Sequence, residues 1–242
     1  MKKLFAVFVF LLMALNNFLY SDEKIHEDSY AKILKLCVKS GNKIDYDALA
    51  ENKNILENYL HKIAETDCSK LNNNEKLALF INAYNAYTLK IVLNHYPLIS
   101  IKQIKGVWNK LKFKVCGRNY TLNQIKYLVV KGKFSNPKAV FCLFNSCVDG
   151  PPLRSRPYNG ESIENEIEEQ LKNFINNKRY VRYDEKDNIL YISSIFKWNK
   201  KYLGDYMALI RKYAQKELIS KIDKNKPKVK FLPFDWILNK AS

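Results

Sequence analysis

The chain has 242 residues, and its content of 47% hydrophobic and 13% aromatic residues excludes an intrinsically disordered protein. The formal net charge is +17, an excess that suits nucleic acid or an anionic surface as a partner. The lysines are spread along the chain, however, with local concentrations only at residues 197–201 and 221–230. This spread argues against a nucleic-acid partner and leaves an anionic surface as an alternative.

The N-terminus has the layout of a secretory signal peptide. Lys2 and Lys3 precede an unbroken apolar run over residues 4–15, and acidic residues follow Ser21. A membrane span needs roughly 20 apolar residues, and this run of about 12 is too short. We predict a signal peptide over residues 1–21 and export to a bacterial periplasm or cell surface. The alternative is an uncleaved anchor, and no later segment is predicted to span a membrane.

Cysteine and histidine usage limits the chemistry. The chain has five cysteines and three histidines. In an oxidising compartment cysteines pair by default, and an odd count leaves one thiol over. No Cys/His spacing is typical of a metal site, and no phosphate loop or dinucleotide fingerprint is present, so we expect no metal and no cofactor.

Helical patterns dominate the first half of the chain. We predict helix over residues 30–64, broken by a turn at Gly41 and Asn42. A longer helix is predicted over residues 75–95, because apolar residues recur there at intervals of three and four positions. Pro97 then ends it.

The second half mixes short strands and helices. We predict a hairpin over residues 113–120, a helix that Thr121 caps from residue 122, a buried strand over residues 140–144 and an acidic helix over residues 163–176. A second hairpin over residues 181–192, a C-terminal helix over residues 203–222 and an extended tail over residues 229–238 follow. Helices first and strands afterwards indicate an α+β fold, with a helical N-terminal half packed on a small mixed or antiparallel sheet. No linker divides residues 22–242, so a single domain is predicted.

Residues 139–158 combine side chains that enzymes use. An apolar run ends in a turn that contains Cys147, Asp149, Arg154 and Arg156. A buried run that leads into a loop of nucleophile, acid and base types is a frequent place for an active site.

Five segments together resemble one family. They are FINAYNAYTLKIVLNHYPLISI, GRNYTLNQI, GPPLRSRPYNGE, ISSIFKW and FLPFDWILN, at residues 80–101, 117–125, 150–161, 192–198 and 231–239. By these segments the chain resembles the domain of unknown function 547 family, in an exported bacterial branch. The resemblance implies no established activity.

The resemblance also implies reactive residues that this chain lacks. Family members resemble one another in a histidine, a cysteine before Pro-Pro and an acid after the tryptophan motif, a set suited to thiol chemistry. Here those positions are Val140, Gly150 and Tyr202. Valine cannot accept a proton and glycine offers no nucleophile, which indicates loss of the family's histidine and Cys-Pro-Pro cysteine.

Two functions from different classes follow. We favour a non-catalytic binding or scaffold domain of the cell envelope, with an envelope component or a protein as partner. The alternative is a thiol-dependent hydrolase or transferase acting on amide or ester bonds, with Cys147 as nucleophile and His95 as base. Cys147 has two other interpretations, as a small turn residue or as half of a disulfide with Cys142.

Six side chains are candidates for ligand binding: Asn82, Tyr84, Asn85, Asp149, Arg154 and Trp198. Asn82 and Asn85 are unfavourable to bury unless hydrogen-bonded. We expect them either to hold the loop of residues 150–152 or to line a polar pocket.

Arg154 and the aromatic residues each have two interpretations. Arg154 either binds an anionic ligand or pairs with Glu161 or Glu164. Three aromatic residues are expected in the core rather than stacked on a ligand: Phe196, Trp198 and Trp236.

Overall fold

The computed structural model describes residues 29–241. The predicted signal peptide over residues 1–21 lies outside this range. Within it, no helix combines the length and the apolar content that a bilayer-spanning segment requires.

Helices make up the N-terminal half of the described chain, as predicted. They are α1 (residues 29–37), α2 (Tyr46–Glu51), α3 (Lys53–Glu65) and α4 (Asn73–His95). A small antiparallel hairpin of β1 (Val38–Lys39) and β2 (Lys43–Ile44) separates α1 from α2. The predicted break at Gly41 is confirmed, and Gly41 has the positive φ of 69° that glycine adopts without strain.

The central helix α4 lies in the core. Asn72 accepts hydrogen bonds from the backbone N–H groups of Asn74 and Glu75, and the Glu75 carboxylate accepts one from the Asn72 N–H at 2.6 Å. This capping box fixes the start of the helix two residues before the predicted one. Nearly every residue from Leu77 to Val92 is buried, so α4 is surrounded by protein rather than packed along one stripe.

The second half consists of short elements, in the order β3 (Phe113–Val115), β4 (Arg118–Tyr120), α5 (Leu122–Lys131), α6 (Ile163–Ile175), β5 (Val181–Asp184), β6 (Ile189–Ile192), α7 (Ser194–Trp198), α8 (Lys200–Leu203), α9 (Tyr206–Tyr213), α10 (Lys216–Asn225) and β7 (Lys228–Phe231). β3 and β4 pair antiparallel; β6 pairs antiparallel with β5 and parallel with β7. The α+β prediction and both hairpins are confirmed.

The strand predicted over residues 140–144 is wrong. A 3-10 helix covers Pro137–Cys142, and residues 143 and 144 are irregular. Pro137 suits the first helical position, and the Asn136 side chain accepts the Lys138 N–H at 3.0 Å. The run is buried as expected, but apolarity alone does not separate a strand from a buried helical segment.

The helix predicted over residues 203–222 is also wrong, because it is divided among α8, α9 and α10. Gly204 has a φ of 68° and ends α8. Asp205 then caps α9 by accepting the N–H groups of Met207 and Ala208. The predicted tail is a strand only as far as Phe231.

Residues 232–241, here called the C-terminal strap, cross several earlier segments. The Ile237 carbonyl accepts the Val148 N–H at 2.9 Å, and the Leu238 N–H donates to Ile99 at 2.7 Å. The Asn239 carbonyl accepts the Ile44 N–H at 2.8 Å. One apolar cluster therefore extends from α1 to the strap.

A disulfide joins Cys68 to Cys116, on either side of α4 in the chain. The remaining cysteines of the described residues, Cys37, Cys142 and Cys147, are free and buried. The interpretation of Cys142 and Cys147 as a disulfide is therefore wrong.

Candidate functional site

Asn82 and Asn85 bind backbone segments rather than line a pocket. The Asn82 side chain donates to the Tyr158 carbonyl at 2.8 Å and accepts the Tyr158 N–H at 2.9 Å. The Asn85 side chain donates to the Cys142 carbonyl at 2.9 Å and accepts the Phe144 N–H at 2.8 Å. Each amide thus pairs with backbone as a neighbouring strand would, and both asparagines are buried.

The two asparagines hold segments on either side of the loop at residues 150–152, not the loop itself. The Gly150 carbonyl accepts instead from the Tyr180 hydroxyl at 3.0 Å and from Asn42 at 3.3 Å. The Pro152 carbonyl accepts from Gln170 at 2.8 Å. The expectation that Asn82 and Asn85 contact this loop is wrong in its detail.

Arg154 is held by α6. Its guanidinium donates to Glu166 at 3.2 Å and lies 3.7 Å from the Glu169 carboxylate. It also stacks 4.6 Å over the Tyr158 ring. The expected partners Glu161 and Glu164 are therefore wrong, since pairing is with Glu166 and Glu169 of α6.

Asp149 lies at a second cavity, of about 480 Å³, beside Arg179 and Arg182. Its carboxylate is 3.3 Å from Arg179 and accepts the Asp235 N–H at 2.8 Å. Asp149 thus fastens the C-terminal strap, and Asp235 adds a second negative charge to the cavity. The negative charges of the two aspartates and the positive charges of the two arginines offset one another in this cavity.

Cys147 is fully buried next to the strap, where it forms an isolated bridge with Leu238. Burial raises the pKa of its thiol to about 12. Burial likewise raises the pKa values of Cys37 and Cys142 to about 12. A nucleophilic cysteine needs the opposite shift, because the thiolate is the reactive form.

His95 is exposed at the C-terminal end of α4. Its Nδ1 lies 2.8 Å from the Ile91 carbonyl oxygen, so Nδ1 carries the proton and donates to that oxygen. No group of three or more His, Cys, Asp or Glu side chains within residues 29–241 is arranged to hold a metal ion.

A cavity of about 200 Å³ gathers the tryptophans of the chain. The sequence contains three tryptophans, and all of them line this cavity, the tryptophan pocket: Trp108, Trp198 and Trp236. The Trp236 ring lies 5.7 Å from Trp108, edge to face, and 5.8 Å from Trp198, nearly parallel. Buried Tyr84 adds a fourth aromatic wall.

Apolar and polar side chains complete the tryptophan pocket. The apolar ones are Val140, Leu143, Pro151 and Ile195. The polar ones are Asn123, Asn145, Asn199 and Lys126. The Oδ1 atoms of Asn145 and Asn199 are buried and accept no hydrogen bond from the described residues. Burial and nearby Lys201 lower the pKa of Lys126.

Asn199 is the most constrained of these polar groups. It is 2% exposed, and its Nδ2 donates to the Ile195 carbonyl at 2.8 Å. That bond fixes the orientation of the amide, so the unpaired atom is the carbonyl oxygen. A buried acceptor without a donor is unfavourable, so this oxygen is suited to receive a ligand's donor.

Sequence reasoning found only part of this site. Of the six candidate binding residues, Tyr84 and Trp198 line the tryptophan pocket. Trp198 is 48% exposed, so its expected place in the core is wrong, whereas Phe196 is fully buried as expected. Trp108 and Asn199 were not predicted, and no local pattern in the sequence marks them.

The comparisons with known proteins concern the central part of the chain. No curated protein and no solved structure matches the chain significantly. The family described as "Protein of unknown function, DUF547" matches residues 68–175. This stretch contains Asn82, Asn85 and Trp108, while Trp198 and Trp236 lie beyond it. The match supports the family resemblance across α4, α5 and α6.

Proposed function

We propose that this protein is an exported, non-catalytic member of that family, from a bacterial branch, which binds a component of the cell envelope in the tryptophan pocket. The observation that carries the proposal is the convergence of every tryptophan on one cavity beside the unpaired oxygen of Asn199. Export rests on the signal-peptide pattern of residues 1–21. Pockets lined by aromatic side chains with a few fixed polar groups are typical ligand sites.

The position of the pocket supports descent from an enzyme. Val140, where the family resemblance implies a histidine, lines it, and so does Pro151, which follows the implied cysteine position. One of the three implied reactive positions and the residue after a second thus line the binding cavity. Valine offers no proton transfer, so the wall that remains can bind but lacks a base.

Gly150 stands at the implied cysteine position. A Cβ atom there would lie 3.0 Å from the Cys147 sulfur and 3.3 Å from the Cys147 carbonyl oxygen. Both contacts are tighter than ordinary van der Waals distances. A cysteine at position 150 would therefore require Cys147 to shift by a few tenths of an ångström, which is consistent with the loss of that nucleophile.

The thiol-hydrolase alternative makes a contrary prediction about Cys147. With a pKa of about 12, only about one Cys147 thiol in 10⁴ is ionised at pH 8. We expect iodoacetamide to leave Cys37, Cys142 and Cys147 unmodified in the folded protein at pH 8, and to modify all three in urea, as read by intact-protein mass. Selective labelling of Cys147 below pH 8 would instead support the enzyme.

The binding function is tested with a muropeptide mixture released from bacterial cell walls by a muramidase. We expect a saturable change in tryptophan emission, because every emitting tryptophan borders the cavity. The masses of the muropeptides should stay unchanged after prolonged incubation.

A matched pair of variants locates the binding. Trp198→Ala removes a half-exposed pocket wall, whereas Tyr127→Ala removes a side chain that is 53% exposed and outside the pocket. We expect the first to abolish the saturable change and the second to preserve it. Unchanged emission in the natural protein would contradict the binding function, and cleaved muropeptides would contradict its non-catalytic character.

A further inference from the structure

Resting on the proposed function, we infer that the ligand group in the tryptophan pocket is a single pyranose ring of an envelope glycan. The inference follows from the pocket's size, its aromatic walls and the kinds of hydrogen-bonding groups that line it.

The size of the pocket favours one ring. Sites for drug-sized ligands measure about 300–1,000 Å³, whereas this cavity measures about 200 Å³. A peptide or a polycyclic ligand would extend beyond it. One six-membered sugar ring, with its neighbours in solvent, suits a cavity of this volume whose Trp198 wall is half-exposed.

The walls suit the apolar face of a sugar ring. Trp198 and Trp236 are nearly parallel, with 23° between their planes. The face of an indole carries negative charge density. The C–H groups of a pyranose, polarised by adjacent oxygens, are weak donors to such a face. Stacking of this kind uses ring faces and needs no charge on the ligand.

The polar groups match hydroxyls. Asn199 presents an acceptor oxygen, because its amide nitrogen is already bonded to Ile195. Asn145 offers a second unpaired oxygen, while Lys126 and Asn123 supply donors. A sugar hydroxyl both donates and accepts, and an N-acetyl carbonyl accepts. A saccharide can therefore satisfy both kinds of group at once.

The charge of the walls disfavours a cationic ligand. Aromatic cages often bind quaternary ammonium groups. Of the side chains that line this pocket in residues 29–241, none is a carboxylate, and Lys126 is a cation. A bound ammonium would face that like charge without a counter-ion.

The experiment titrates the mature chain with three probes and follows tryptophan emission: chitotriose for the sugar, trialanine for the peptide and choline for the cation. We expect chitotriose alone to give a saturable change. Trp198→Ala should weaken its binding at least about tenfold, and Tyr127→Ala should leave it unchanged. Asn199→Ala should weaken it as well, and Lys126→Met tests the polar side if the asparagine variant does not fold.

A second readout tests the stacking itself. Saturation transfer from the protein to chitotriose, measured by NMR, should be strongest at the ring C–H protons of one sugar unit and should disappear in Trp198→Ala. Equal transfer in that variant would overturn the placement of the sugar.

The outcomes separate this inference from the function on which it rests. If muropeptides change the emission but chitotriose does not, the sugar ring is the wrong group, and the binding function stands. If trialanine or choline binds instead, the ligand class is overturned in favour of that probe. If muropeptides and all three probes leave the emission unchanged, both proposals fail.

Discussion

Replacing Asn82 by alanine is expected to lower the free energy of unfolding by about 2–5 kcal/mol, because it leaves a buried N–H and a buried C=O of Tyr158 without partners. Both bonds of the asparagine are short, at 2.8 and 2.9 Å, and both join residues 76 positions apart. Asn85→Ala should have a similar effect at Cys142 and Phe144. Urea unfolding followed by circular dichroism measures the change.

Two further variants make the Asn82 experiment specific. Asn52→Ala removes a single bond to the Ala48 carbonyl of a neighbouring turn, and we expect a loss of only about 0.5–1.5 kcal/mol. Asn82→Asp keeps an acceptor for the Tyr158 N–H but loses the donor. Its free energy of unfolding should therefore lie between those of Asn82→Ala and the natural protein. If Asn82→Ala lowers the free energy of unfolding by no more than Asn52→Ala does, the stabilising role of the buried Asn82 amide is contradicted.

Removing the disulfide between Cys68 and Cys116 is expected to lower the free energy of unfolding by about 4 kcal/mol. The two cysteines are 48 residues apart, and closing a loop of that length reduces the entropy of the unfolded chain by about this amount. The double variant Cys68→Ala/Cys116→Ala tests this in urea unfolding at pH 7.

Reductant supplies the control for the disulfide. The natural protein should lose stability when dithiothreitol is added, down to the level of the double variant. The double variant should not respond, because the remaining cysteines of residues 29–241 are already free. Equal stability of oxidised and reduced protein would contradict a stabilising disulfide.

The sequence predicted the elements that local signals control. The apolar spacing up to His95 predicted α4 with its observed end, and the Asn72–Glu75 capping box within one turn sets its start two residues before the predicted one. Both predicted hairpins form as well, each across a turn of a few residues. These features depend on neighbours within a few positions, which the sequence displays directly.

The wrong or missing predictions concern features that are determined by contacts between residues far apart in the sequence. Residues 140–144 have an apolar composition that suits a strand, but a strand needs a partner strand for its backbone hydrogen bonds. Here the Asn85 side chain pairs instead with the Cys142 carbonyl and the Phe144 N–H. The tryptophan pocket joins Trp108, Trp198 and Trp236 from three separate segments. Nothing in the spacing of these residues indicates that they meet. The pairing of Cys68 with Cys116 was open for the same reason.

The C-terminal strap has a consequence for the order in which the protein forms. The strap leaves the ribosome after every other segment that the structure describes, yet it supplies Trp236 to the pocket. The Trp236 carbonyl accepts a hydrogen bond from the Ser100 hydroxyl, which lies 136 positions earlier in the sequence. Contacts at such separation form late, since loop closure must precede them. Until the strap docks, the cavity lacks one of its four aromatic walls, so competence to bind arises only as folding finishes.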